Sequence, residues 1–233
     1  MKVSLVGKEA QNIVDLVKKF GLGIVDKNPD LVISFGGDGT LLSSERQYPG
    51  IPKLPIRNSQ FCHKCPNHED QVLLKKLLNG KLQLKEYRKL EAIKNNQTFY
   101  ALNDFVIRNS DPTHTIRFQT SASDNLLIGD GIVVSTPFGS SGYFKSVTGQ
   151  AFEEGFAIAF NNTTEKMGPL FLKDGDTLTF QLIRGKATLS FDNNPDIFNI
   201  DEGSELIFKL SDQVAKIYEP TSLRCPNCQV MRG

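Results

Sequence analysis

The chain has almost no charge imbalance: its 233 residues carry 27 Lys and Arg against 26 Asp and Glu. A protein that grips a nucleic-acid backbone shows a basic excess, so no nucleic-acid partner is expected. No apolar run reaches membrane-spanning length, which removes a bilayer as a partner. Nor is a signal peptide expected, because Met1-Lys2-Val3-Ser4-Leu5-Val6-Gly7 reads directly as a strand. The default expectation is therefore a cytoplasmic protein. There is no internal repeat, low-complexity tract or long linker. Cysteine is scarce, four in all, and falls as two C-x-x-C pairs, Cys62/Cys65 and Cys225/Cys228. Without a secretion signal, metal binding or redox chemistry is favoured over a structural disulfide. The length and a 39% hydrophobic content allow two modest domains or one large one.

What is present is most concentrated at residues 31–40, Leu-Val-Ile-Ser-Phe-Gly-Gly-Asp-Gly-Thr. An apolar strand stops at three glycines around one Asp, and a helix-compatible stretch follows. Buried strands of open α/β sheets deliver ligand partners at their C-terminal ends. Glycines there let backbone N–H groups approach phosphate oxygens, and a helix N-terminus favours negative charge. A carboxylate is unfavourable beside an anion, so Asp38 needs a metal ion, a sugar hydroxyl or a proton to accept. A plain strand-to-helix turn needs fewer glycines.

Up to about residue 60 strand and helix alternate. Strands are expected at Lys2–Val6, Ile24-Val25, Asp30–Phe35 and Leu54-Pro55-Ile56, and helices over Glu9–Phe20 and Glu69–Asn79. This grammar implies a parallel sheet. From about residue 83 short strands follow one another, among them Thr98–Arg108, Gly131–Ser135 and Ala187–Phe191, separated by turns such as Asn95-Asn96 and Asp192-Asn193-Asn194. The expected fold is an α/β N-terminal domain, a Rossmann-like parallel sheet with the glycine loop, plus an all-β, sandwich-like C-terminal domain. The expected division is 1–82, with the tail 215–233 packing back on it, and 83–214.

Two segments of the second part read as chemical. In Ala101-Leu102-Asn103-Asp104-Phe105-Val106-Ile107 two polar residues interrupt a buried strand, which is costly without partners. Their plainer explanation is a bulge or a strand end. In Gly129 to Tyr143 a strand runs into Thr136-Pro137-Phe138-Gly139-Ser140-Ser141-Gly142-Tyr143. Hydroxyls, backbone amides and an aromatic ring suit a purine and its ribose. A Ser/Gly surface loop is the bland alternative.

The glycine loop Gly36-Gly37-Asp38-Gly39-Thr40 is shared by NAD kinases, lipid kinases and, more loosely, phosphofructokinases. The order of all three segments resembles NAD kinase over roughly residues 1–215. In that family an Asn-Glu dipeptide follows the loop, then Asp-Gly-x-x-x-Ser-Thr-Pro-Thr-Gly-Ser-Thr-Ala-Tyr. Here those positions read Asn103-Asp104 and Asp130-Gly131 through Tyr143. The resemblance implies phosphoryl transfer from ATP or polyphosphate, with Mg²⁺ or another divalent cation, to the 2′-hydroxyl of the adenosine ribose of NAD. It makes Asp38 the group that orients or deprotonates that hydroxyl. Gly36, Gly37, Gly39 and Thr40 would cradle phosphates, and Asp38 and Gly39 would also touch NAD. Asn103 and Asp104 would hold the adenosine, and Asp130 the nicotinamide side, in its own or a neighbouring subunit. Ser141, Gly142, Tyr143 and Ser146 would line the dinucleotide site, and His114 and Asn194 match weaker positions. Phe138 stands where Thr is usual, so its ring would stack on a base or narrow the pocket. The family's Gly-Ile-Asn-x-Gly-x-Leu-Gly-Phe stretch is replaced by residues from Pro55 to Cys62, where only Asn58 and Phe61 match. A homo-oligomer, dimer or tetramer, is expected by the same resemblance.

Each C-x-x-C turn places two thiolates on one tetrahedral edge, so Cys62, Cys65, Cys225 and Cys228 can complete a structural Zn²⁺ site. In NAD kinases the C-terminal segment returns to the N-terminal domain, which would bring the pairs together and pin the tail. Redox dithiols or unpaired thiols are the alternatives, and His63 and His68 stand nearby as other ligands. Two rival functions share parts of the pattern. One is a dinucleotide-binding regulator that responds to redox state or metal. The other is a lipid kinase with the same glycine loop, although the interval after the loop here holds Pro55–Pro66 instead of that family's Gly-Thr-x-Asn-Asp.

Overall fold

A computed structural model describes residues 1–58 and 69–219. These divide into two compact units, Met1–Tyr87 with the described residues from Val214 on, and Arg88–Gln213.

The first unit is a parallel sheet flanked by helices. Strands β1 (Lys2–Val6), β2 (Gly23–Ile24), β3 (Leu31–Phe35) and β4 (Lys53–Ile56) lie in the order β2-β1-β3-β4, each pair parallel. Parallel strands need crossovers, and the helical segments supply them. The expected Glu9–Phe20 helix is a 3₁₀ turn, Ala10–Ile13, running into α1 (Val14–Lys19). Helices α2 (Asp38–Gln47) and α3 (Asp70–Leu78) follow. All five residues of β3 are buried, as a strand covered on both faces requires. Its neighbours in the core include Val3, Leu54, Ile56, Val17 and Leu74. The polar Ser34 of β3 is satisfied: its hydroxyl donates to Ser44 Oγ at 2.7 Å, and Ser44 Oγ donates to Thr40 O at 2.8 Å. That chain pins α2 to β3 and fixes where the glycine loop ends. Lys53 and Glu45 form a fully buried ion pair, and Lys53 Nζ also donates to Tyr48 O at 2.6 Å.

The second unit is a β-sandwich. Its strands are β5 (Gln83–Lys94, whose start lies in the first unit), β6 (Gln97–Ala101), β7 (Asp104–Asn109), β8 (Ile116–Thr120), β9 (Ser123–Gly129), β10 (Gly131–Ser135), β11 (Phe156–Asn161), β12 (Leu170–Leu172), β13 (Leu178–Arg184), β14 (Ala187–Phe191), β15 (Phe198–Ile200) and β16 (Glu205–Glu219, whose end lies in the first unit). One antiparallel sheet runs β12-β11-β10-β7-β14-β15, and the other runs β16-β13-β8-β9. Phe105, Ile107, Ile132 and Phe191 from the first meet Phe118, Phe180, Leu182 and Phe208 from the second. The β5–β6 hairpin turns at Asn95 and Asn96, both left-handed (φ 47° and 64°), the geometry that a two-residue hairpin asks of Asn.

Three differences from the sequence expectation matter for the site. The strand expected over 98–108 is two strands, broken at Leu102-Asn103. The expected all-β part also contains a helix, α4 (Tyr143–Thr148), where a loop ends in the sequence reading. It forms because Phe144 drops onto the outer face of the sheet, among Val106, Val133, Ala157 and Ala159. The small alanines leave room for the ring. Finally, β9 runs through Asp124-Asn125, residues disfavoured in strands, at the edge of its sheet, where such residues are tolerated.

Candidate functional site

The first cluster stands at the C-terminal ends of β1, β3 and β4. The Gly36 N–H donates to Ile56 O (2.9 Å), and Asn58 N–H donates to Gly36 O (3.4 Å). Asn58 Nδ2 donates to Glu9 Oε2 (2.7 Å), so the segments following all three strands are tied together. A Cβ on Gly36 would stand 2.2 Å from Thr40 Oγ1, so the turn closes on Thr40 only with glycine there. Gly37 is the N-cap of α2, and the N–H groups of Thr40 and Leu41 return to its carbonyl at 3.0 and 3.2 Å. Asp38 thus opens the first turn of a helix, with its side chain 53% exposed and Oδ1 3.5 Å from Arg57. An exposed pair of that length contributes little to stability. It does set a movable cation beside the carboxylate at an anion-favouring helix end. The loop residues Gly36, Gly37, Gly39 and Thr40 and the carboxylate of Asp38 therefore share one exposed turn.

The second cluster, in the β-sandwich, is built around a backbone step. Leu102 and Asn103 lie between β6 and β7, and the carboxylate of Asp192, after β14, accepts both of their N–H groups, at 2.6 Å (Oδ2) and 2.8 Å (Oδ1). Thr136 answers from the carbonyl side. Its hydroxyl donates to Leu102 O (2.6 Å), its N–H donates to Asn103 O (2.9 Å), and Gly139 N–H donates back to its Oγ1 (3.1 Å). A Cβ on Gly139 would sit 2.2 Å from Asn103 O, so this contact admits glycine alone. The polar break that the sequence leaves as a bulge or strand end is a strand end whose backbone polarity is fully used.

Asp104 opens β7 opposite Ser135, beside the Phe105–Phe191 pair that precedes Asp192. Burial, then the negative charge of Asp192, pushes its carboxyl up to about 7. Burial also raises Asp192, to about 6, against the opposing pull of the Leu102, Asn103 and Asp104 N–H groups and of Lys89. Two carboxyls that titrate near neutrality thus face one shelf. Phe138, half-buried, and Ser141 occupy the turn from β10 to α4, and Gly142 caps that helix. Tyr143 OH accepts from Asn161 Nδ2 (3.4 Å), and the exposed Ser146 hydroxyl donates to Tyr143 O (2.7 Å). Asn194 closes the turn after Asp192, its N–H donating to Phe191 O at 2.7 Å.

The remaining candidates are elsewhere in the sandwich. Asn109, at the far end of β7, donates its N–H to Asp130 O (2.8 Å) and its Nδ2 to His114 O (2.8 Å). Asp130 Oδ2 accepts from Asn162 Nδ2 at 3.1 Å. A strand of this length spans about 17 Å, so Asp130 and His114 are gathered at one end of β7 and Asn103 and Asp104 at the other.

Sequence reasoning missed Arg57, Glu9 and the carboxylate of Asp192, which it treats as a turn residue. Only the chain's return to Leu102, 90 residues earlier in sequence, gives Asp192 its role. Among the described residues no group of three or more His, Cys, Asp or Glu could hold a metal ion. Cys62, Cys65, Cys225 and Cys228 lie outside the described residues, as do His63, His68 and Phe61. No described helix is long and apolar enough to cross a membrane.

No family model matches the chain. It is 33% identical over 158 residues to an NAD kinase of Saccharolobus islandicus, covering 64% of this chain and 63% of that one. The chain thus spans just under two thirds of the length of that relative. It is 31% identical over 205 residues to an NAD kinase of Sulfurimonas denitrificans, covering 81% of this chain and 71% of that one. In fold it is similar to the crystal structure of an NAD kinase from Archaeoglobus fulgidus in complex with ATP. The TM-score is 0.77 at 18% identity, with 95% of this chain and 94% of that chain covered.

Proposed function

The chain belongs to the NAD kinase family, and from that premise we propose that it phosphorylates the 2′-hydroxyl of the adenosine ribose of NAD, using ATP or polyphosphate, to give NADP. The observation that carries the reading is Asp38. It is an exposed carboxylate at the first turn of α2, held in a glycine loop that suits phosphate oxygens. The ribose 2′-oxygen forms a bond to the terminal phosphorus, the bond from that phosphorus to the bridging oxygen breaks, and ADP or the shortened polyphosphate leaves. Asp38 accepts the hydroxyl proton as the new bond forms. Gly36, Gly37, Gly39 and Thr40 bind the phosphates, and Arg57 adds a cation beside them. Among the described residues no side-chain cluster would hold a divalent cation alone. Mg²⁺ bound with the phosphates would offset their charge, and Asp38 is the carboxylate of the glycine loop that would help hold it.

Asn103 and Asp104 bind the adenosine half, with Asp192 and Thr136 fixing the backbone beneath them. Phe138, Ser141, Gly142, Tyr143, Ser146 and Asn194 line the same site. Asp130, at the other end of β7, reaches a dinucleotide bound by a second copy, which makes the active form a homo-oligomer, dimer or tetramer. The four cysteines bind structural Zn²⁺; metal analysis of undenatured protein should find about one equivalent per chain, lost when Cys62 and Cys65 are replaced by Ser. A cytoplasmic location accords with these soluble substrates. The comparisons lend no support to a regulator or a lipid kinase.

Incubation with NAD, ATP and Mg²⁺, with NADP read by a coupled dehydrogenase, tests the reading. The wild type should form NADP, and Asp38→Asn should lose at least 100-fold in rate while still binding NAD. A wild type that makes no NADP from either phosphoryl donor would overturn the proposal.

A further inference from the structure

A cleft of about 440 Å³ in the β-sandwich takes no part in the adenosine shelf. It lies beyond the end of β7, about 17 Å along that strand from Asp104. Asp111, His114, Arg117, Arg184 and Lys186 line it. Two arginines come together there by construction. A register shift between Leu182 and Arg184 places Arg184 of β13 directly opposite Arg117 of β8. Like charges facing each other across a strand pair are destabilising. Lys186 follows at once, after Gly185, whose N–H is held by Glu202 Oε1 at 2.7 Å. The carbonyl of Lys186 is fixed in turn by Ser110, which donates its N–H at 2.9 Å and its hydroxyl at 3.1 Å.

The carboxylates nearby are engaged. Asp111 accepts from Thr113 N (2.9 Å) and Oγ1 (2.6 Å) and meets His114 Nδ1 at 2.8 Å. Glu202 is engaged by the turn. Among the described residues Arg117, Arg184 and Lys186 have no carboxylate partner. Three cations without an ion-pair partner outnumber the one carboxylate of the cleft, Asp111, which His114 Nδ1 meets at 2.8 Å, and leave the concavity a positive potential. Guanidinium forks match phosphate oxygens two at a time. One phosphate carries about two negative charges, fewer than the three cations offer. We propose that this cleft binds a condensed phosphate, the di- or triphosphate group of a nucleotide or inorganic polyphosphate, at a site separate from the one that holds NAD. His114, matched above to a dinucleotide position, belongs to this cleft. The inference stands on the cleft alone and does not depend on the NAD kinase reading.

Calorimetric titration of the full chain with sodium tripolyphosphate tests it, using wild type and Arg117→Ala/Arg184→Ala. The wild type should take up one more equivalent per chain than the double variant, and raising NaCl from 0.1 to 0.5 M should weaken that equivalent about tenfold or more. ATP competing at similar affinity identifies the triphosphate as the recognised group. ATP binding ten times tighter identifies a nucleotide site. The arginines are exposed and mutually repulsive, so the double variant should melt no lower than wild type. Arg117→Lys/Arg184→Lys should recover part of the binding. Equal uptake by wild type and the alanine double variant would overturn the inference. A wild type that forms NADP but shows no such difference would overturn it while leaving the NAD kinase reading intact.

Discussion

Replacing Asp104 by Asn should flatten the dependence of stability on pH. In the folded chain Asp104 titrates near 7 and Asp192 near 6, both well above the ordinary Asp value of about 3.9. Between about pH 4 and 7 the folded state therefore holds protons that the unfolded state has released. Stability must fall as pH rises through that window, and the loss is complete above 7. Each pH unit over which only the folded state is protonated is worth about 1.4 kcal/mol. From pH 5 to 8, Asp104 accounts for about 3 kcal/mol, or about 2 after discounting for its partial exposure. Part of its shift is the repulsion from Asp192, so Asp104→Asn also eases the titration of Asp192, and the two contributions must not be summed. Urea denaturation at pH 5, 6, 7 and 8 and constant ionic strength measures this. The variant should gain about 2–3 kcal/mol on the wild type between pH 5 and 8. Parallel curves for the two proteins would show that the Asp104 carboxyl is ordinary and would refute the description of the shelf.

Gly139→Ala drives a methyl into the Asn103 carbonyl at 2.2 Å, so the shelf must shift; KM for NAD should rise about tenfold or more, with stability reduced by about 1–3 kcal/mol. Lys53→Met leaves Glu45 buried without its cation and should cost about 3–5 kcal/mol in chemical denaturation, whereas Lys53→Met/Glu45→Leu should recover most of it. Mixing inactive Asp38→Asn with inactive Asp130→Ala chains should restore part of the NADP-forming activity if a second copy completes the site; a mixture as inactive as its components would count against sharing between subunits.

The parallel half of the fold is legible because β3 is apolar throughout and ends in glycine. The strands over 131–135 and 187–191 are legible from β-branched and aromatic runs. Helix α4 is not, since six residues cannot nucleate a helix by propensity. Its cause is tertiary: Phe144 needs Ala157 and Ala159 beneath it, and nothing local announces that. The same holds at the adenosine shelf. Asn103-Asp104 is conspicuous as polar residues in an apolar run. The carboxylate that fixes it, Asp192, is disguised as a turn residue by its left-handed φ of 47°. Arg57 falls in a stretch where the family pattern is lost, so only the structure puts it beside Asp38.

The last of the described strands, β16, brings the first unit residues made long after its other described ones. Glu219, at its end, is 2% exposed, accepts a hydrogen bond from the Tyr87 hydroxyl, and pairs with Lys85 Nζ at 2.8 Å. Tyr87 and Glu219 are 132 residues apart in sequence. A ribosome therefore delivers the whole sandwich, Arg88–Gln213, before it delivers the residues that close the sheet containing the glycine loop. At about 5–20 residues per second, the first unit waits several seconds or more for the end of β16. In chain order, every residue of the adenosine shelf, from Leu102 to Asp192, is made before the residues that close the sheet bearing the glycine loop.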